Sequence, residues 1–229
     1  MALYTIGDLH LSLGSDKPMD VFGGGWINYL DKIKAGFEQL KPDDVCVLCG
    51  DISWGMSLQE SLDDFLFIDR MPGKKIVLKG NHDYWWATVA KTKNFFEANG
   101  INNIEILNNN CFFYEGTAIC GTRGWLSDDE LSIEQNVKIM ARETMRLRAS
   151  FHAAKDAAEK LCFFHYPPRF KNTACRDIIS VMDEYGVKRC WYGHLHGDGH
   201  RHAICGEVEG IEYNLVSADF LDFIPQRVI

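Results

Sequence analysis

The sequence has no long apolar run. Nowhere do about 18 apolar residues follow one another in its 229 residues, which excludes a hydrophobic spanning helix and makes a membrane partner unexpected. Positive charge is also short: 24 Lys and Arg stand against 32 Asp and Glu, for a net charge of −8. Phosphate backbones select basic surfaces, so nucleic acid is not the expected partner. No linker, low-complexity tract or repeat interrupts the chain, and residues 1–229 are expected to form a single domain with a well-buried core. Met1 to Ile6 runs straight into a strand pattern without a basic segment and apolar core behind it. No signal peptide is therefore expected, and a cytoplasmic location is. Cysteines are present, but not in a metal-binding pattern. Cys46 and Cys49 fall within the apolar strand Val45–Cys49, where positions three apart face opposite sides. The others (Cys111, Cys120, Cys162, Cys175, Cys190 and Cys205) are isolated, and most lie in apolar runs. All eight read as buried, reduced thiols. Gly23-Gly24-Gly25 lacks the lysine of a phosphate loop and reads as a flexible surface segment bordering the site.

What is there is an alternation. Ala2–Ile6, Asp44–Cys49 and Lys75–Lys79 have the pattern of short apolar strands. Helical spacing follows each one: Trp26, Leu30, Ile33, Phe37 and Leu40 after the first, a helix from Ser57 after the second, and Tyr84 to Asn99 after the third. Strand, helix, strand, helix is the signature of a parallel α/β sheet. Ile104–Leu107, Cys111–Tyr114 and Thr117–Cys120 then read as a hairpin-like section. Ser127 to Glu130 has the S-x-x-E pattern of a capping box. Behind it, Ile133, Val137, Met140, Leu147, Phe151 and Ala154 predict one long helix, or two joined near Ser150, with Arg142 and Arg146 on one face. Further strands end at His165 and at Gly193, with a helix between them, and two more surround Glu209-Gly210.

The ends of these strands carry the chemistry. Asp8 and His10 lie two apart after the first strand, and Asp51 follows the second. Asn81, His82 and Asp83 follow the third; His165 and the pair His194 and His196 follow two later ones. Every strong strand of the alternation thus finishes in a residue able to hold a metal, on the loops where open α/β sheets bind ligands. Such a mixture of imidazole nitrogens with carboxylate and amide oxygens suits Mn, Fe, Zn or Co better than Ca or Mg.

The order GD-x-H, GD, GNHD, H, GH-x-H, spanning residues 8 to 196, resembles the calcineurin-like metallophosphoesterase superfamily, and within it a bacterial-type phosphohydrolase. The resemblance implies a four-layer α-β-β-α sandwich of two mixed sheets, with a dinuclear site at the C-terminal ends of the strands. It implies that Asp8, His10, Asp51 and His196 hold one metal, and that Asp51, Asn81, His165 and His194 hold the other, with Asp51 bridging. His82 would contact the phosphate or the leaving group, oriented by Asp83. The expected activity is hydrolysis of a small phosphorylated substrate, a nucleotide-like monoester or diester, by a hydroxide bridging two divalent or transition metal ions. A nuclease or a non-catalytic scaffold on the same fold is the alternative. The neutral Asn81 keeps the centre positive enough to attract a phosphate.

The pattern also departs from that of the protein phosphatases in this superfamily. They usually carry an arginine shortly after the second motif and GNHE at the third; here Ile52-Ser53-Trp54-Gly55 and an aspartate stand instead. Arg123, on a glycine-flanked turn, is the candidate replacement for the phosphate clamp. Trp54, Trp85 and Trp86 adjoin the metal loops and are candidates for pocket lining, with core anchoring as the competing role. His152, His200 and His202 match no motif position.

Overall fold

The computed structural model of the chain describes residues 1–128 and 130–229. Strands Leu3–Ile6 (β1), Val45–Leu48 (β2), Lys74–Val77 (β3) and Ile104–Ile106 (β4) pair in parallel, in that order. Gln226–Arg227 (β13) closes the β1 edge in antiparallel register, Tyr4 opposite Arg227. A second sheet has parallel strands Thr117–Thr122 (β6), Glu159–Phe164 (β7), Arg189–Tyr192 (β10) and Ile211–Leu215 (β12). Its edges are the antiparallel strands Phe112–Tyr114 (β5) and Gly206–Val208 (β11), and Arg169–Phe170 (β8) pairs with Thr173–Ala174 (β9) in a separate two-stranded ribbon.

The strands are apolar on both faces, so each sheet must be covered twice. Leu3, Val47, Ile76, Ile119, Phe163 and Trp191 meet between the two sheets. The intervening residues point outward. Ile6, Cys46, Leu48 and Val77 pack under the helices Tyr29–Phe37 (α1), Leu62–Asp69 (α2) and Val89–Ala98 (α3). Cys120, Cys162, Phe164 and Tyr192 pack under Ile133–Ala153 (α4) and Arg176–Glu184 (α5). The result is a four-layer α-β-β-α sandwich of two mixed sheets. Cys46 and Cys49 fall in different layers, as the period of two requires. The cysteines are free, but not all are buried: Cys205 is exposed, and Cys111 and Cys175 are half-buried.

Several boundaries move. α3 begins at Val89 rather than Tyr84. Trp85 turns into the core against Phe65, and its indole N–H donates to Asp83 at 2.9 Å, which holds residues 83–86 in a turn. Thr88 then caps the helix, its Oγ1 accepting from Lys91 N–H. α2 begins at Leu62 rather than near Ser57, and Trp26 lies in a 3₁₀ turn before α1. α4 is one unbroken helix, capped by Ser132 and Gln135 rather than by Ser127 and Glu130. Asn136 accepts from the Asp128 amide and the Trp125 indole and so folds the preceding segment onto the first turn of α4. Asp129 of the expected box lies outside the described residues. Ile133 is 85 % exposed, so the apolar stripe of this helix begins in solvent. Ile104–Ile106 joins β3, leaving only β5 and β6 as the hairpin.

Candidate metal centre

Five loops converge: those after β1, β2 and β3 of one sheet, and those after β7 and β10 of the other. The site is therefore built by the C-terminal ends of strands in both sheets. Close packing of the loops depends on glycine. A Cβ at Gly80 would overlap the Asp51 carboxylate, and one at Gly193 would overlap that of Asp8. Asp8, His10, Asp51 and His194 have φ of 59°, 46°, 51° and 73°, a left-handed conformation unfavourable for residues with a side chain. Strain gathered on four candidate ligands is the mark of a functional site held by its surroundings.

The side chains expected to bind metal come together. His10 Nε2 and His196 Nε2 lie 3.3 Å apart. Asn81 Oδ1 lies 2.6 Å from His165 Nε2 and 3.0 Å from His194 Nδ1. Asp51 Oδ2 lies 3.7 Å from His10 Nε2 and 3.6 Å from His165 Nε2, one imidazole from each expected set. Ligand atoms of Asp8, His10 and His196 lie within 4.8 Å of one another, as do those of Asp8, Asp51 and His165. Asp8 thus neighbours both sets, and its carboxylate also accepts from the His194 amide at 2.9 Å.

The electrostatics call for cations. Burial, then the charges of Asp83 and Asp8, push the Asp51 carboxyl well above the usual range. Burial works the same way on Asp8, but the hydrogen bond and charge of His196 hold its carboxyl below that range. Burial holds His10 well below the ordinary imidazole value, and holds His194 down at about 3, so both present neutral nitrogens. Buried carboxylates facing neutral imidazoles form a donor set that fits divalent metal ions.

Asp83 departs from its expected role. Its carboxylate accepts from the amides of Gly80, Asp51 and Ile52 at 2.7, 2.9 and 2.8 Å, besides the Trp85 indole. None of its bonds goes to His82, whose Nδ1 is buried without a partner among the described residues. Asp83 is a staple between the second and third metal loops, not the orienter of His82. The His82 ring lies 4.4 Å from Trp54 and 5.8 Å from His10, and burial followed by the charge of His165 pushes it down to about 4.

A cavity of about 640 Å³ opens over His10, His82 and His196, walled by Trp26, Trp54 and the Gly23–Gly25 segment. Trp54 stacks on His10 at 5.0 Å and is pocket lining; Trp85 is a core anchor at 3 % exposure. Arg123 is brought near the centre but faces away from this cavity. Its carbonyl accepts from the amides of His165 and Tyr166, while its guanidinium lies 3.6 Å from Glu143 and 5.1 Å over Trp125. Trp86 and Arg123 line a neighbouring cavity.

Two residues beside the site, Asp219 and Lys17, were missed by the sequence reading, and a third, His200, was set aside as matching no motif. Asp219 accepts from His196 Nδ1 at 2.8 Å, and this bond, with Asp8, raises His196 to about 10 against the effect of burial. His200 lies 3.3 Å from the other oxygen of Asp219, at the cavity wall. Lys17 Nζ sits 5.1 Å over the Trp54 ring. None belongs to a periodic or spaced pattern; only the closeness of His200 to the last metal loop was a signal.

The family model for calcineurin-like phosphoesterases matches residues 1–198. The chain belongs to that family. No curated protein matches it in sequence. Among solved structures it is similar to a phosphopantetheinyl hydrolase from Mycobacterium tuberculosis, at 15% identity and a TM-score of 0.56 over 100% of this chain and 95% of that one. It is also similar to a protein of unknown function from Aquifex aeolicus (17% identity, TM-score 0.51, 99% and 95% covered). A Thermus thermophilus protein is a third such structure (13% identity, TM-score 0.53, 85% and 81% covered). At these identities the likeness extends to the fold alone. Membership of the family makes the chain a metal-dependent phosphoesterase in general terms.

Proposed function

We propose that this phosphoesterase is dinuclear and hydrolyses a small phosphomonoester or phosphodiester, with Mn, Fe or Zn as its metals. The observation that carries the reading is Asp51 Oδ2, placed between His10 and His165 at 3.7 and 3.6 Å. A single carboxylate oxygen facing one imidazole from each set is what a bridging ligand requires. Asp8, His10, Asp51 and His196 would hold one ion; Asp51, Asn81, His165 and His194 would hold the second. Bound there, divalent ions supply a deprotonated water near neutral pH and positive charge for the phosphoryl oxygens.

The chain's own residues do the rest. The Asp83 staple keeps the Asp51 and Asn81 loops in register. His82 is neutral at pH 7 and carries one N–H, which it donates to the departing oxygen as charge develops there. Trp26 and Trp54 exclude water from one side of the cleft and offer flat faces to the organic part of the substrate. The test is hydrolysis of p-nitrophenyl phosphate and bis(p-nitrophenyl) phosphate with added Mn²⁺. Turnover of at least one ester, abolished in Asp51→Ala, is expected. Metal-loaded protein that turns over neither would instead be a scaffold.

A further inference from the structure

On the His194 side of the centre a second cavity, of about 450 Å³, is lined by Lys79, Arg123 and Arg146, with Trp86 and Asn108. It adjoins the loop that follows β3. Lys79 precedes Gly80-Asn81, and the Arg123 guanidinium lies 6.0 Å from the Tyr166 ring, which in turn lies 4.3 Å from the His194 ring. Beneath the three cations is one carboxylate, Glu143, 1 % exposed. Glu143 accepts from Thr122 Oγ1 at 2.6 Å and from Arg146 at 2.7 Å, with Arg123 at 3.6 Å. Lys79 has no ion pair among the described residues, and Arg123 Nε is buried there without a hydrogen-bond partner. Glu143, with the Asp83 charge that also reaches Lys79, still leaves the three cations in excess, and the buried guanidinium N–H still needs an acceptor. Glu143 sets the arginines in place but cannot neutralise the group. Arg142, one turn earlier on α4, takes no part: its Nε donates to the Lys138 carbonyl.

We propose that this cavity binds a second anionic group, a phosphate or carboxylate carried on the same molecule as the scissile phosphate. The proposal rests on the phosphoesterase reading and narrows its substrate class to bis-anionic phosphoesters. The substrate then lies across the centre, with its second anion between Arg123, Arg146 and Lys79. A guanidinium pair recognises such an anion through directional N–H bonds, which a lone metal centre does not offer.

The test compares alkyl monophosphates with α,ω-alkanediol bisphosphates of increasing spacer length, using the metal-loaded protein. At least one bisphosphate should be preferred in kcat/KM by about tenfold, and Arg146→Gln should lower that preference by about tenfold. Calorimetric titration with inorganic phosphate provides an arm independent of turnover. Two phosphates per chain are expected, of which Arg146→Gln weakens one by about tenfold and spares the other. If no ester is hydrolysed, the phosphoesterase reading fails while the titration still decides whether the cavity holds an anion. A single phosphate site, or two that Arg146→Gln leaves unchanged, would overturn the proposal. So would a second site that responds to free phosphate without any preference among the esters, since the ligand would then be a separate anion.

Discussion

Asp219 Oδ1 accepts a hydrogen bond from His196 Nδ1 at 2.8 Å, which turns Nε2 toward His10. Such a carboxylate fixes the tautomer and the ring orientation of a metal-binding histidine. Asp219→Ala is expected to weaken the first metal site by about 10–100-fold, read by competitive titration with a metal indicator; unchanged affinity would remove Asp219 from the centre. His82 is a different case, because it touches the cleft without joining either ligand cluster. His82→Ala should cost turnover by about 10²–10⁴-fold while metal content measured by elemental analysis stays at the wild-type level. Loss of metal in that variant would make His82 a ligand instead. Both aspartates show where sequence reading stops. The seven candidate ligand positions are legible because each follows a strand, most of them in a short motif. Asp83 lies inside a motif, yet its partners are backbone amides on another loop, and no spacing encodes them. Asp219 lies in a tail segment whose approach to His196 is set only by the packing of the whole chain.

Lys75 shows how an element is finished by a residue outside it. It sits in β3, fully buried, and its ammonium donates to the carbonyls of Met71 and Gly73 at 2.7 and 2.8 Å, with that of Asp69 at 3.5 Å. These carbonyls belong to the end of α2 and the turn behind it, where helices leave acceptors unpaired. Lys75→Met leaves them without a donor and should cost roughly 1–3 kcal/mol in urea unfolding at pH 7. A gain in stability would show that burying the ammonium costs more than its bonds return. The pH dependence has a defined sign. Burial holds Lys75 down to about 8 from 10.5, with the Asp69 charge opposing. Between those values the unfolded chain binds the extra proton, so stability rises with pH across that window. Below it both states are protonated, and the penalty for burying the charge is fully present. The variant should lack this rise. The helices were legible as existing but not in their starts. Trp85 and Trp26 have apolar side chains that satisfy a helical spacing equally well from a turn, so the pattern runs ahead of the helix itself.

At the scale of the whole molecule, the metal centre joins the two sheets. Three of its loops belong to one sheet and two to the other, and the apolar layer between them ends at the ligands. Metal binding is therefore linked to the docking of the sheets and should stabilise the fold as a whole. Metal at about 100 times its Kd adds about 2.7 kcal/mol, which for a chain of this size is roughly 5–10 °C in Tm. Chelation should lower Tm by that amount in differential scanning calorimetry, and a Tm indifferent to chelator would contradict the linkage. Among the described residues no helix is long and apolar enough to cross a membrane. The strand–helix alternation was legible, but it implied only a parallel sheet; the four layers were expected from the family resemblance alone. The pairing of β13 with β1 was not legible, because two residues carry no periodicity. The most direct measurement is the rate of p-nitrophenyl phosphate or bis(p-nitrophenyl) phosphate hydrolysis as Mn²⁺ is added in known equivalents to metal-free protein. Activity should rise until about two equivalents per chain are bound and then level off. Saturation at one equivalent, or no activity with two ions bound, would contradict a dinuclear phosphoester-hydrolysing centre.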